Sequence, residues 1–335
     1  MPRARIFAQA AIAGIAVALW TAAAPALAQS ENFPNRPIRI ISPFAAGTSV
    51  DITARRIGEH IAPLLGQPVV VENKGGAGGA IGTDLVAKSP PDGYTLVLGT
   101  VGTHAFNVSL YKSLSYDALK DFAPITRTAI GAFNTLLVHP SFPASNMKEF
   151  VALAKQRAAE GKPLTFGSAG VGSPGQLLVE LVKMSTGIQA VHIPYKGSSL
   201  IVADVIGGHV DFFIASPGVA LPQVQGKMLK AIAVDSPQRS AYLPDVPTMR
   251  ESGIANVEAQ IWVGLFAPAN TPAPIVNKLH AAVVSALAKP TVKAEFDKDG
   301  LIVETDATPE AFRKIVAADI DKWAAVIKAA GIQPE

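Results

Sequence analysis

An apolar run, "PIRIISPF" at residues 37–44, empties straight into the tiny residues Ala45, Ala46 and Gly47, and then into a segment with helical spacing, Ile57, Ile61 and Leu64. A second stretch, "LTFGSAGVGSPGQLLVE" at residues 164–180, repeats the plan of apolar strand, small-residue elbow and helix. A strand that becomes a helix with almost no loop fits layered α/β architecture, in which the helix folds back over a largely parallel sheet. "QPVVVEN", "YTLVLGT", "TLLVHP", "AVHIPY", "VDFFIAS" and "LKAIAVDS" read as further strands, with helical segments at 146–159 and 201–206 between them. Two long amphipathic segments, 273–288 and 309–330, close the chain without a sheet of their own and are assigned back to the first unit. The expected organisation is one domain of residues 29–130 plus 256–335 and a second of 131–255. Chain crossings near 130 and 255 would form a hinge with a cleft between the lobes.

Residues 1–28 stand outside this fold. Arg3 and Arg5 precede an uncharged apolar run that ends in "APALA", which reads as a signal peptide cleaved after Ala28. The apolar core is shorter than the roughly 20 residues a membrane span requires. Removing Arg3 and Arg5 leaves 27 basic against 26 acidic residues from the original 29 and 26, a net charge of +1, so the charge balance supports neither nucleic acid nor a membrane surface as partner. The chain has no cysteine, which excludes disulfide staples, a lipid anchor, thiol chemistry and Cys-ligated metal.

The elbows carry the chemistry. A helix start presents unpaired N–H groups and about half a positive charge, and small residues let an anion approach it. In the first elbow Ala46 and Gly47 clear the approach, Thr48 or Ser49 caps, and Asp51 lies in the first turn. In the second, Ser168, Ala169, Gly170 and Gly172 lead to Ser173, Pro174 and Gln176, the pattern of a capping box with proline at the first helical position. Ser173 and Gln176 could equally be consumed by that capping, and small residues could serve tight packing alone. "GSAGVGSPG" has no P-loop lysine, "GGAGGAIG" misses the dinucleotide fingerprint, G-x-S-x-G is absent, and the six histidines lack metal-ligand spacing. No cofactor or metal is expected. Thr103 and His104, in "GTVGTHAFN" after a strand, are expected to face the cleft; Asp204 could receive an amine or hydroxyl, or be a solvated helix carboxylate. Trp262 and Phe266 read as core or hinge packing.

"RPIRIISPFAAGTSVDITAR", "VVVENKGGAGGAIGTDLVAKSPPDGYTLVLGTVGTHAFN", "FGSAGVGSPGQL", "HIPYKGS", "IGGHVDFF", "RSAYLPDVPT" and "WVGLFAPANTP" together resemble, in that order, the Bug family of periplasmic receptors of tripartite tricarboxylate transporters. The resemblance implies a two-lobed type II periplasmic-binding-protein-like fold. It also implies a monomer in the periplasm that captures a small carboxylate, delivers it to membrane permease subunits, and does no catalysis. The ligand would be held by backbone N–H groups and bound waters of two loops, Phe44 to Ser49 and Ser168 to Ser173. The family usually has Gly-Gly where this chain has Gly47-Thr48, so Thr48 is expected to shape ligand choice. The alternatives are a periplasmic enzyme using His104 and Asp204 as acid and base, and a ligand-sensing partner of a signalling system. Intact-mass measurement of the exported protein should give a chain beginning at Gln29; a full-length product would contradict the signal-peptide reading.

Overall fold

The computed structural model describes residues 32–334 apart from 256, 258 and 260, so the signal-peptide reading lies outside the described residues. The chain forms two sheets. The first has strand order β11-β4-β10-β3-β1-β2, from β1 (Ile38–Ser42), β2 (Val69–Asn73), β3 (Thr95–Thr100), β4 (Phe122–Gly131), β10 (Trp262–Pro268) and β11 (Leu301–Val303). The second has order β7-β6-β8-β5-β9, from β5 (Thr135–Val138), β6 (Leu164–Ser168), β7 (Ala190–Pro194), β8 (Phe212–Ala215) and β9 (Lys230–Val234). In both sheets three neighbouring strands are parallel, β2-β1-β3 and β7-β6-β8, and antiparallel strands complete each sheet.

Side-chain alternation sends each strand into two cores. Ile40, Leu96 and Leu98 pack under α1 (Ser49–Leu65) and α8 (Ala273–Leu287). Ile41 and Val97 face the other way, towards α2 (Ala80–Ala87) and the helical turns of Gly102–Phe106 and α3 (Asn107–Leu110). In the second lobe, Phe166 and Phe212 pack with α4 (Met147–Ala159) and α5 (Pro174–Thr186). Phe213 and Leu137 pack with α6 (Ser198–Ile206) and α7 (Pro217–Gln225).

The two closing helices fall as expected, and a short α9 (Pro290–Lys298) that the sequence reading omitted lies between them. α10 (Pro309–Ala329) covers the first sheet but also packs on α5 of the second lobe, so it belongs to both. It sits close because Gly264 of β10 has no Cβ; one there would lie 2.4 Å from the Phe312 ring. Trp262 and Phe266 are fully buried, as read from the sequence, and the Trp262 indole donates to Asp319 Oδ2 of α10 at 2.6 Å.

Two chain crossings join the lobes. β4 ends at Gly131 and β5 begins at Thr135, while the return path runs from Val234 to Trp262. The crossings are tied to one another: Asn134 donates its backbone N–H to Asp235 Oδ1 at 2.5 Å and its side-chain amide to Oδ2 at 2.8 Å, and Gly131 N–H reaches Ile261 O at 2.9 Å. Burial pushes the Asp235 carboxyl up to about 7 against the lowering effect of those hydrogen bonds.

The segment leading into α10 is anchored by a buried ion pair. Arg127 of β4 donates through Nη2 and Nε to Asp306 Oδ1 at 2.8 and 3.0 Å, and through its backbone N–H to Oδ2 at 2.8 Å. Removing Asp306 takes the short, buried partner from the guanidinium and leaves the longer 3.4 Å contact to the more exposed Glu304. Asp306→Ala should therefore lower the unfolding free energy by about 3 to 5 kcal/mol, measured by urea denaturation; a loss within 1 kcal/mol would show the pair to be dispensable.

Candidate functional site

The first elbow runs from β1 into α1. Gly47 takes φ +81°, a left-handed conformation that suits glycine, and turns its N–H onto Asp51 Oδ2 at 2.8 Å. Thr48 is the N-cap: its hydroxyl accepts from Asp51 N–H at 3.4 Å and donates to Ala45 O at 2.8 Å. Asp51 also accepts from Asn73 Nδ2 at 2.9 Å and pairs with Arg55 at 3.0 Å. Burial pushes the Asp51 carboxyl up, but the bonds from Gly47, Arg55 and Asn73 outweigh it and hold the group below the ordinary value. The elbow is thus internally satisfied, with Thr48 capping and Ser49 free.

The second elbow, from β6 into α5, has the same frame with different chemistry. Gly172, at φ +72°, donates its N–H to Gln176 Oε1 at 2.7 Å, as Gly47 does to Asp51. The capping box read from the sequence does not close, because Gln176 is spent on Gly172 and Ser173 makes no side-chain cap bond. Ser173 Oγ is buried without a partner. Pro174 takes the first helical position as expected. Ser168 donates to Gly170 O at 2.9 Å, so the His192 Nε2 that lies 2.6 Å away is the donor to its hydroxyl. Burial, then the nearby Lys183, lowers the His192 pKa.

Both elbows line one cavity of about 560 Å³ between the lobes: Phe44 and Ser49 from the first, Gly172 and Ser173 from the second. A recess of about 250 Å³ in the second lobe adds Ser168 and Ala169. Ala46, Gly47, Thr48 and Gly170 belong to the same loops but line neither space. No Lys, Arg or His lines either one among the described residues. Lys196 is exposed, and Arg55 is held by Asp51 and Asn73.

A third helix start was missed. Ser216, Pro217 and Gly218, from β8 into α7, line the cavity with Ser216 as an uncapped N-cap. The signal was in the sequence: this "SPG" repeats Ser173-Pro174-Gly175, each after an apolar strand.

Thr103 and His104 do not face the cleft, which corrects the sequence reading. After β3 the chain turns at once into a wide helical turn, Gly102–Phe106, and its inward face carries both residues into the core at 0% exposure. His104 lies over Gly99, where a Cβ would be 2.4 Å from the ring, and stacks on Phe266 with centroids 3.9 Å apart. Burial drives its pKa down to about 3, so it is neutral at pH 7. The outward face presents Asn107, Leu110 and Tyr111 to the cavity instead, at helical spacing. Asp204 is also outside both cavities; Tyr195 donates to its Oδ2 at 2.6 Å. An acid–base pair of His104 and Asp204 therefore does not assemble in the cleft.

A sequence model described as "Tripartite tricarboxylate transporter family receptor" matches residues 53–332. The chain belongs to this family. It is 36% identical over 323 residues to the protein BugT of Bordetella pertussis, covering 96% of this chain and 97% of BugT. The solved periplasmic binding protein BugD is similar at 36% identity and a TM-score of 0.71, covering 90% of this chain and all of BugD's. MatC from Rhodopseudomonas palustris, solved with bound malate, is similar at 32% identity and a TM-score of 0.70, covering 88% of this chain and all of MatC's. The receptor is accordingly a two-lobed solute-binding protein, and the family is one of receptors and not of catalysts.

The unequal capping of the two elbows has a measurable consequence. Thr48→Ala should cost the receptor about 1 kcal/mol of stability through the lost cap. Ser173→Ala, which removes no bond, should stay within about 0.5 kcal/mol. Equal losses in urea denaturation would refute the assignment of these two hydroxyls.

Proposed function

We propose that the receptor captures a small carboxylate between its lobes and hands it to the membrane permease of a tripartite tricarboxylate transporter. It works in the periplasm as a monomer after loss of residues 1–28. The lobes that close are 29–130 with 256–335, and 131–255. The holding elements are the two loops, which meet the ligand through Phe44 and Ser49 on one side and Ser168, Ala169, Gly172 and Ser173 on the other, while Ala46, Gly47, Thr48 and Gly170 shape the same loops. The observation that carries this reading is that helix starts from both sheets line one cavity that has no lysine, arginine or histidine in its lining among the described residues. The malate bound to MatC supports a carboxylate as the ligand class.

The mechanism follows from fixed dipoles. Backbone N–H groups at a helix start cannot rotate away or be displaced by salt, so they hold an anion without a counter-ion. Bonds to a charged group contribute about 1.5 to 3 kcal/mol each, and two or three supply much of the roughly 8 kcal/mol of a micromolar complex. A ligand held by both elbows bridges the lobes and favours the closed state by its differential affinity for it. Closure is then the signal that a permease can read.

A panel of mono-, di- and tricarboxylates and acidic amino acids, tested by thermal shift and small-angle scattering, should contain a ligand that compacts the protein. That ligand should stabilise it by about 2.7 kcal/mol at a hundredfold excess over Kd. By calorimetry Ala169→Pro, which deletes a donor, should weaken binding far more than Lys196→Gln, which deletes a charge. The reverse order would replace the backbone cradle with a lysine clamp, and a panel without any ligand would remove the carboxylate reading.

A further inference from the structure

The first chain crossing separates two spaces. Gly131 and Phe133 line both the main cavity and a separate pocket of about 400 Å³ beside the hinge. Asn134, next along the chain, lines the main cavity and the second-lobe recess, whereas Asp235 of the second crossing lines the hinge pocket. The Asn134–Asp235 bridge therefore passes from one space to the other, with a carboxyl at one end and an amide at the other.

The bridge fixes which end of the amide meets the ligand. An ionised carboxylate only accepts hydrogen bonds. Asp235 takes the Asn134 backbone N–H on Oδ1 at 2.5 Å and the side-chain Nδ2 on Oδ2 at 2.8 Å. Asn134 Oδ1, which accepts no hydrogen bond among the described residues, is the end left to the cavities, and its lone pairs repel an anion. A proton on Asp235 reverses this. The backbone N–H keeps Oδ1 of Asp235 an acceptor, so the proton sits on Oδ2, which then donates and needs an acceptor. Half a turn of the amide brings Asn134 Oδ1 to that proton and swings Nδ2, with its N–H donors, to the cavities.

Asp235 is 4% exposed, and burial, against the bonds from Asn134 and the charge of Lys322 on α10, holds its carboxyl at about 7. The other charged groups of the hinge pocket are engaged: Arg239 with Glu251 at 2.9 Å, Glu304 with Arg127 at 3.4 Å, and Asp297 with the Tyr242 hydroxyl at 2.8 Å. On α10, Asp319 is held by the Trp262 indole.

We infer that Asn134 is a ligand-binding residue operated by Asp235: protonation of the hinge carboxyl turns the amide so that its N–H donors face the ligand, and the receptor takes up a proton as it binds a carboxylate. This rests on the carboxylate-receptor reading and adds a proton linkage to it. By reciprocity, a ligand that favours the protonated bridge tightens the hold of Asp235 on its proton by the same factor. Binding is therefore tight below the Asp235 midpoint and weakens as pH rises through it.

Calorimetry with malate and adipate tests the linkage. The tighter binder of the two should lose about fivefold in affinity between about pH 6.5 and 8.5, and near pH 7.5 binding should take up about half a proton, read from buffers of different ionisation enthalpy. Asp235→Asn, whose amide copies the protonated carboxyl by donating to Asn134 Oδ1, should hold the low-pH affinity across that range, and Asn134→Ala should bind without a pH slope. A wild-type slope in Asp235→Asn would overturn the linkage. A slope kept in Asn134→Ala would place the effect of the proton in the hinge and overturn the turning amide. Nitrogen NMR of the Asn134 side chain reads the turn without ligand: the signal should shift with a midpoint at about pH 7, and a signal that does not titrate would overturn the proposal whether or not the variants fold. Absence of binding by the whole carboxylate panel at every pH, with the amide still titrating, would overturn the carboxylate reading and keep the turn.

Discussion

The antiparallel insertion of β10 between β3 and β4 is the constraint on which the rest of the receptor depends. Val263 to Phe266 pair with Thr100 to Val97 on one side, and Trp262 to Pro268 pair with Ile130 to Phe122 on the other. A central strand hydrogen-bonded on both edges cannot be withdrawn without losing two ladders, so the chain must return from the second lobe to the middle of the first sheet. That return creates the second crossing and hence a hinge of two strands of chain, tied by Asn134 and Asp235. α10 adds a second restraint, since it packs on both β4 and α5.

On this frame the two elbows act as one device built twice. In each, a glycine before the N-cap gives its N–H to the third helical residue, Gly47 to Asp51 and Gly172 to Gln176. The bridge sets the angle at which strand becomes helix. The choice of a charged or a neutral acceptor then sets the local potential. A carboxylate offsets the helix dipole, whereas an amide leaves it available. Similar backbone geometry thus carries an acidic side chain at one helix start and a neutral one at the other.

Much of the architecture was legible in the residues. The helix marked by Ile57 and Ile61, the β-rich apolar runs and the terminal helices fall where their patterns place them, because burial of one face follows from local spacing; Leu64, read on the same face, is exposed, and Leu65 takes the buried place. The elbows were legible for the same reason, since small residues and N-cap chemistry are local signals. The helical turn after β3 was not. "GTVGTHAFN" carries no cap and no strong period, and its outcome depends on the hole above its own first residue, Gly99, being roofed by the face of Phe266, which lies far along the chain. His104 therefore looked like a ligand contact and is a stacked core residue. Thr48 and Ser173 looked interchangeable as caps. Only Thr48 makes the cap bond, although Asp51 and Gln176 bridge back to the preceding glycine alike.

The sequence by itself determined the class of fold, the two strand-to-helix elbows and the lack of cationic anchors within them, because these rest on composition and spacing over a few residues; the family was legible as a resemblance of ordered segments along the whole chain. Tertiary structure alone decided which side chains meet in the cleft. It turned Thr103 and His104 inward and Asn107, Leu110 and Tyr111 outward, brought the unread third start at Ser216 beside Ser173, and left one serine hydroxyl unpaired there. The physical reason is that a hydrogen-bonding group takes whichever partner the packed chain brings to it. Local sequence names the donors and acceptors, but the competition among them is settled by contacts between segments tens to hundreds of residues apart.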